Sequence, residues 1–372
     1  MPAKDLHEEP FDDGTITKLE IFEDYAQAWI PTFVMKAEPI ICIFDFFAGT
    51  GYDKNGIAGS PIRILDKIKD HIGYIFQKRV KIRVYVNEYE PNKVSQRKHE
   101  LLVKACNEYL ETNQDVKRAI EILTYNEDFE TLFPKLLPEI KLYPSLVYID
   151  QNGVRFLSDK YLLQFEKMTQ TDFLYFASSS YLRRLGHTEQ FKKHLQLDIE
   201  LLKEVPYNLV HRNLISQLTL RFSNNTKLRL YPFSIKKGTN IYGIIFGASH
   251  PRAVEKFLSI AWKKNDVNGQ SNFDMDQDIP SAQLDLFGIQ KLTKIQKFKS
   301  TLRDMVLTGQ ITSNFEALDF VYAEGHIGKH AADVLKEMKQ KGEVSYIANS
   351  PCINYEKVYK EKQLIKFNLP KK

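Results

Sequence analysis

Leu19, Phe22, Ala26, Trp29 and Phe33 recur at three- and four-residue intervals, which puts them on one face of a helix over residues 18–35. The pattern then changes to a continuous apolar run, Pro39-Ile40-Ile41-Cys42-Ile43-Phe44-Asp45, which suits a parallel strand covered on both faces. Ser60-Pro61 reads as a helix N-cap followed by proline in the first turn, and Ile62, Ile64, Leu65 and Ile68 carry that helix to about Phe76. Further on, the pattern predicts a strand at Ile82–Val86, a helix at 91–112 and short strands at Ala119–Leu123 and Leu146–Ile149. A helix at 158–168 and a strand at Phe173–Ala177 follow. Strands alternating with helices imply a doubly wound α/β domain of the Rossmann-like type.

Residues 178–225 read as mainly helical, broken only at Gly186 and Pro206, and are longer than one crossover needs; they are taken as a helical insertion. Leu228–Ile235 and Ile241–Phe246 predict a hairpin around Lys236-Lys237-Gly238-Thr239-Asn240, and a helix at Arg252–Trp262 closes a first domain of residues 1–262. A parallel sheet that ends in an antiparallel hairpin is the arrangement expected of a class I methyltransferase domain. The polar stretch that follows reads as a linker over 263–289. Helices at 290–308, 314–323 and 327–340, followed by strand-like alternation at Val344, Tyr346, Leu364, Ile365 and Phe367, give the element order of a winged-helix-like domain over 290–372.

Composition changes this picture in a few places. No stretch nears the ~20 apolar residues that cross a bilayer, and the N-terminus has no apolar signal core, so no membrane association and a cytoplasmic location are expected. Cys42, Cys106 and Cys352 lack metal-ligand spacing, and no metal site is expected. The net charge of +5 is unevenly placed: residues 291–372 hold 15 Lys and Arg against 9 Asp and Glu, while the rest is nearly balanced. A basic C-terminal segment points to a phosphate-bearing partner.

The chemistry concentrates at strand ends. Phe44-Asp45-Phe46-Phe47-Ala48-Gly49-Thr50-Gly51 combines a buried strand with a glycine turn that lets backbone approach a ligand. With Asp45, Phe47, Gly49 and Gly51 it reads as a site for the methionine end of S-adenosylmethionine (SAM), rather than as an unliganded turn. Glu88, at the end of the next strand, is placed to take ribose hydroxyls, or else is a solvent-facing glutamate; it lies farther from the glycines than the ~20 residues of a simple Rossmann unit. Asn126, Glu127 and Asp128 follow the third strand, where a polar side chain would meet adenine, and Asp128 is carried as the candidate among them. Asp150-Gln151-Asn152-Gly153 follows the fourth strand, facing the transferred methyl group. Asp150 is the catalytic or acceptor-contact candidate, or else it caps the next turn. The prolines that amino-methylating enzymes carry after such an Asp or Asn are absent, as is a Pro-Cys nucleophile for cytosine-C5 chemistry.

Ser178-Ser179-Ser180-Tyr181 could line the same site. His326 and His330, four apart, read as a solvated helix face. Gln283-Leu284-Asp285-Leu286-Phe287 is similar to the short peptide by which bacterial DNA-processing proteins dock on the sliding clamp, although apolar residues in a linker more often pin it to the core. On the predicted recognition helix, Lys329, Lys336 and Lys339 offer charge to phosphates, and nucleic acid is preferred to protein as its partner.

Taken in order, these pieces resemble the three-Cys-motif partner protein (TcmP) family: Thr17-Lys18-Leu19 with Tyr25 and Trp29, Asp45 to Gly51, Gly59-Ser60-Pro61, Val86-Asn87-Glu88, Tyr148-Ile149-Asp150, and the His250-Pro251 helix ending at Trp262. The resemblance spans residues 12–262 and the C-terminal tail. It implies a SAM-dependent methyltransferase-like fold and a partner that looks like a radical-SAM iron–sulfur protein, the cysteines of the family name belonging to that partner. This chain departs from the family's Asp-Pro-aromatic-Gly by carrying Asp150-Gln151-Asn152-Gly153. The expected function is SAM-dependent methylation of nucleic acid; the alternative is a non-catalytic, partner-binding adaptor on a degenerate methyltransferase fold.

Overall fold

Ile41, Cys42, Ile43 and Phe44 are fully buried, because the strand they form lies inside a sheet covered on both faces. The computed structural model describes residues 10–91, 97–151, 158–179, 198–278 and 292–370, and the chain forms two compact units, Met1–His250 and Pro251–Lys372. In the first, the order is α1 (Asp13–Val34), β1 (Ile40–Asp45), α2 (Ser60–Asp70), α3 (Ile72–Lys78), β2 (Lys81–Asn87), α4 (Arg97–Thr112), α5 (Gln114–Ala119) and β3 (Ile120–Tyr125). Then come α6 (Phe129–Leu142), β4 (Ser145–Ile149), α7 (Asp159–Phe165), β5 (Thr171–Ser178), α8 (Ile199–Glu204), α9 (Val210–Thr219), β6 (Arg229–Lys237) and β7 (Asn240–Ala248). The seven strands lie in the order β3-β2-β1-β4-β5-β7-β6, with β1 to β5 parallel and β7 antiparallel to both β5 and β6.

Alternation along each strand divides the core. Cys42, Phe44, Val147, Ile149, Phe173 and Tyr175 face a cluster completed by α6, α7 and α9. On the other face α1 lies against the sheet, with Phe22 stacked on Tyr148 at 3.9 Å and Tyr25 edge-on to Phe246 at 4.8 Å. The Tyr25 hydroxyl donates to Asp172 at 2.7 Å, and burial, reinforced by that carboxylate, holds it well above the ordinary tyrosine range.

The strands predicted for the first unit all form, with ends moved by a residue or two. The single helix expected from Ser60 to Phe76 is two helices separated at His71. Its N-cap is Gly59 rather than Ser60, whose hydroxyl is committed to Asp45. α6 was not anticipated, because Pro134 and Pro138 lie inside it. An interior proline costs about 3 kcal/mol, but Phe129, Leu132, Phe133, Leu136 and Ile140 make a buried stripe that outweighs it. Of the helical insertion, residues 180–197 lie outside the described residues, and 198–225 contain α8 and α9.

The second unit holds α10 (Pro251–Lys264), α11 (Lys294–Leu307), α12 (Asn314–Ala323), α13 (Gly328–Gln340) and a π-helical turn at Glu356–Lys360. α10, read from sequence as closing the first domain, is grouped here with the second. The start of the polar stretch is packed: Asn268 and Ser271 are fully buried, and both hydrogen-bond to the Phe273 carbonyl. α11 opens with a reciprocal capping box between Thr293 and Gln296. The C-terminal alternation does not build regular strands among the described residues. Val344, Tyr346, Ile365 and Phe367 are buried, yet the backbone pairs only through isolated bridges, Ser313 with Lys366 and Ser345 with Asn368.

Candidate functional site

β1 is flanked by β2 on one side and β4 on the other, so the chain leaves β1 and β4 toward opposite edges of the sheet. In such sheets a crevice opens at this switch point, outside the carboxyl ends of the strands. The turn after β1 fills it. Gly49 and Gly51 both have left-handed backbone, at φ 67° and 90°, where a side chain is strained. A Cβ on Gly51 would also lie 2.6 Å from that of Ala105 on α4. The Gly49 amide donates to Glu88 Oε2 at 2.9 Å, which sets the glycine turn against the acidic group ending β2.

Beneath the turn sits Asp45, 1 % exposed, accepting from Ser60 Oγ at 2.5 Å and from the Phe47 amide at 3.2 Å. Burial pushes its carboxyl up to about 7, against the lowering effect of those two donors. Asp45 thus braces the turn from inside. The half-buried Phe47 packs on Phe129, with ring centroids 5.6 Å apart. Asp128 accepts from the Glu130 amide at 2.9 Å and caps α6, which accounts for that aspartate structurally. Its neighbours are also engaged: Asn126 accepts from the Glu90 amide, and Glu127 pairs with Lys135.

Two further groups matter that the motif search did not single out as site residues. Asn87, 2 % exposed, donates to the carbonyls of Phe46 at 3.0 Å and Glu127 at 3.1 Å and accepts from the Glu127 amide at 3.0 Å, joining the loops after β1 and β3. Asp53 orders the long loop that follows the glycines, accepting from the amides of Phe11, Asn55 and Ile57 at 2.8, 2.9 and 2.7 Å. An extra loop at the start of α2 is therefore folded back on itself, closed by a bridge between Tyr52 and Ala58 and by the Gly59 amide on the Gly51 carbonyl.

Asp150 lies beyond the end of β4 and forms an ion pair with Lys18 Nζ at 2.5 Å. The same ammonium stands 4.5 Å from the ring centre of Phe176 on β5. Tyr148, fully buried, reaches Asp150 at 3.5 Å, and burial together with that carboxylate holds its hydroxyl well above the usual range. Lys18 belongs to α1, far from Asp150 in sequence, so no local pattern announces the pair. Gln151 is buried, with its amide 3.4 Å from the Phe176 carbonyl; Asn152 and Gly153 lie outside the described residues. Of the serine run, Ser179 donates to the Ile241 carbonyl, and Ser180 and Tyr181 lie outside the described residues.

Among the described residues, no group of three or more His, Cys, Asp or Glu could hold a metal ion, and no helix is long and apolar enough to cross a membrane. His211 is buried between Ser234 Oγ and the Ala177 carbonyl, both at 3.1 Å, and burial lowers it to about 4. His326 and His330 are not a solvated helix face. His326 precedes α13, is 2 % exposed, and meets His330 Nδ1 to Nδ1 at 2.9 Å, with Trp262 and Phe298 packed around the pair. On α13, Lys329 and Lys336 are exposed, but Lys339 donates to the carbonyls of Tyr346 and Ala348 at 3.1 and 3.0 Å and lies over the Tyr346 ring. Lys339 thus ties the end of α13 to the segment that follows it. The clamp-like segment Gln283–Phe287 lies outside the described residues.

Residues 272–351 match the family model of a GMT-like wHTH domain, in agreement with the winged-helix order of α11, α12 and α13. No curated protein sequence matches the chain.

Proposed function

We propose that this chain is a SAM-dependent methyltransferase-like protein of the TcmP kind that acts on nucleic acid in company with a radical-SAM-like three-Cys-motif protein. The observation that carries the cofactor assignment is the bond from the Gly49 amide to Glu88 Oε2 at 2.9 Å, at the switch point of the sheet. It brings a glycine turn and an acidic strand end together, the donor set that suits a nucleoside with an attached amino acid. The strand order, with β7 inserted antiparallel between β5 and β6, supports a class I methyltransferase fold. The GMT-like wHTH match and the basic C-terminal segment support a nucleic-acid substrate.

In this reading Gly49 and Gly51 admit the methionine end of SAM, Glu88 takes the ribose hydroxyls, and Phe47 and the Asp128 loop border the adenine. The cofactor supplies an electrophilic methyl group. The protein's part is to hold the acceptor in line with it, with Asp150 as the acceptor contact. Isothermal titration with SAM tests the assignment: micromolar binding by the parent and its loss in Glu88→Ala are expected, and no heat from the parent would sink it.

One observation favours the second reading, an adaptor that binds its partner without catalysis: Asp150 is already paired with Lys18. Pull-down of the three-Cys-motif protein, run beside transfer of labelled methyl groups to bulk RNA and DNA, separates the two. Partner capture without transfer supports the adaptor.

A further inference from the structure

We propose that Phe176 and Tyr242 form the stacking surface of the acceptor site, and that the acceptor is a base of single-stranded nucleic acid carrying an exocyclic amine. The proposal rests on the methyltransferase reading and names the substrate class of that same site.

Phe176 lies near the carboxyl end of β5 and Tyr242 near the start of the antiparallel β7, so both sit at the edge of the sheet where β1, β2 and β4 end. Phe176 alternates with Tyr175, which belongs to the opposite core, so its ring stands on the α1 face. The two rings are half-buried and stacked, 5.7 Å apart with an interplanar angle of 20°. Each end of the pair carries an ammonium group. Lys18 stands 4.5 Å from the Phe176 centroid, and Lys237 stands 6.0 Å from that of Tyr242. Lys18 is paired with Asp150, and Lys237 with Asp12 at the start of α1. The result is a row: Asp150, Lys18, Phe176, Tyr242, Lys237, Asp12.

Three properties of this row select the ligand. The rings stack on each other and each has an ammonium over it, so a single strand whose phosphates draw the ammonium groups aside opens the outer ring faces to its bases. A carboxylate only accepts hydrogen bonds, so at the Asp150 end the complement is a donor; the exocyclic amine of adenine or cytosine offers two N–H groups where thymine offers only its ring N3–H, and the amine is the better match. The side chains of the pair are only 13 and 16 % exposed, so Lys18 leaves Asp150 only where something replaces it: a strand's phosphate takes the ammonium and the base's amine meets the carboxylate.

The test uses the full chain, with and without S-adenosylhomocysteine, and short oligodeoxyadenylate and oligothymidylate strands as probes. Ultraviolet cross-linking with peptide mapping should place adducts at Phe176 or Tyr242. Fluorescence anisotropy should show oligodeoxyadenylate bound more tightly than oligothymidylate, and a loss of roughly tenfold in Phe176→Leu. Cross-links confined to 294–340, or equal binding of both strands, or parental affinity in Phe176→Leu, would overturn the proposal. SAM titration of parent and variant reports folding and judges the cofactor assignment separately: a parent that binds no SAM while cross-linking at Phe176 would end the methyltransferase reading and leave the strand-binding surface in place.

Discussion

The two halves of the crevice are built differently. On the β1 and β2 side, the glycine turn is fixed by hydrogen bonds from backbone amides and from two almost fully buried side chains, Asp45 and Asn87. On the β4 and β5 side, Asp150 is held by Lys18, a long side chain from another helix, with both groups partly exposed. The first half has little freedom to rearrange without leaving buried polar groups unpaired. The second rests on one ion pair between side chains 13 and 16 % exposed, which an incoming charged group can replace but which is costly to leave half-made. If the proposed function holds, the first side is the part that holds a cofactor in a fixed way and the second the part that admits and releases an acceptor.

The comparison can be broken most sharply at Gly51. Gly51→Val combines a left-handed backbone with a clash against Ala105, and should lower stability by about 3 kcal/mol, seen as an earlier midpoint in urea denaturation. Glu88→Ala removes the acceptor of the Gly49 amide; it should lower stability by about 1 kcal/mol, less than Gly51→Val, and abolish SAM binding by calorimetry, whereas Glu88→Gln keeps the acceptor and separates the ligand's demand from the fold's.

Asp45 gives a subtler test. Its folded-state carboxyl is raised from 3.8 to about 7 by burial, so the folded protein holds a proton that the unfolded chain has released. Stability from this group is therefore greatest at low pH and declines as pH rises from about 4 to about 7. Asp45→Asn should remove that decline, measured as the difference between parent and variant in thermal midpoints across that range. Taking the difference matters, because His211 in the same unit is lowered from 6.5 to about 4 and its contribution is lost in the opposite direction, as pH falls. At the Asp150 end, Lys18→Met strips a mostly buried carboxylate of its cation; it should lower stability by about 2 kcal/mol in urea denaturation and leave SAM affinity at its parental value. A loss of SAM affinity would show that the two sides act as one unit.

The glycine turn and its contact with Glu88 were legible in the sequence because their parts are local. A buried apolar run, an Asp and a Gly-x-Gly turn are contiguous, and Glu88 follows at the end of the next apolar strand. The sheet was legible for the same reason, each strand being a continuous apolar run between polar breaks. What stayed hidden depends on chain segments that meet only after folding. Lys18 on α1 finds Asp150, and Ser60 finds Asp45 instead of capping its own helix. The two carbonyl acceptors of Lys339 come from a segment with no distinctive pattern, so its bonds to them could not be read ahead. α6 was missed where proline, a local signal, is overridden by the burial of an aromatic stripe.

Asn87 carries one more implication. Its amide ties the backbone after β1 to the backbone after β3, and the Ala48 amide on its own carbonyl adds a second tether. The walls of the crevice on this side are thus a single stiff frame, already assembled before a ligand arrives. A nucleoside entering it would order little additional chain, so its association should be enthalpy-led, with a heat-capacity change no larger than the apolar surface it covers.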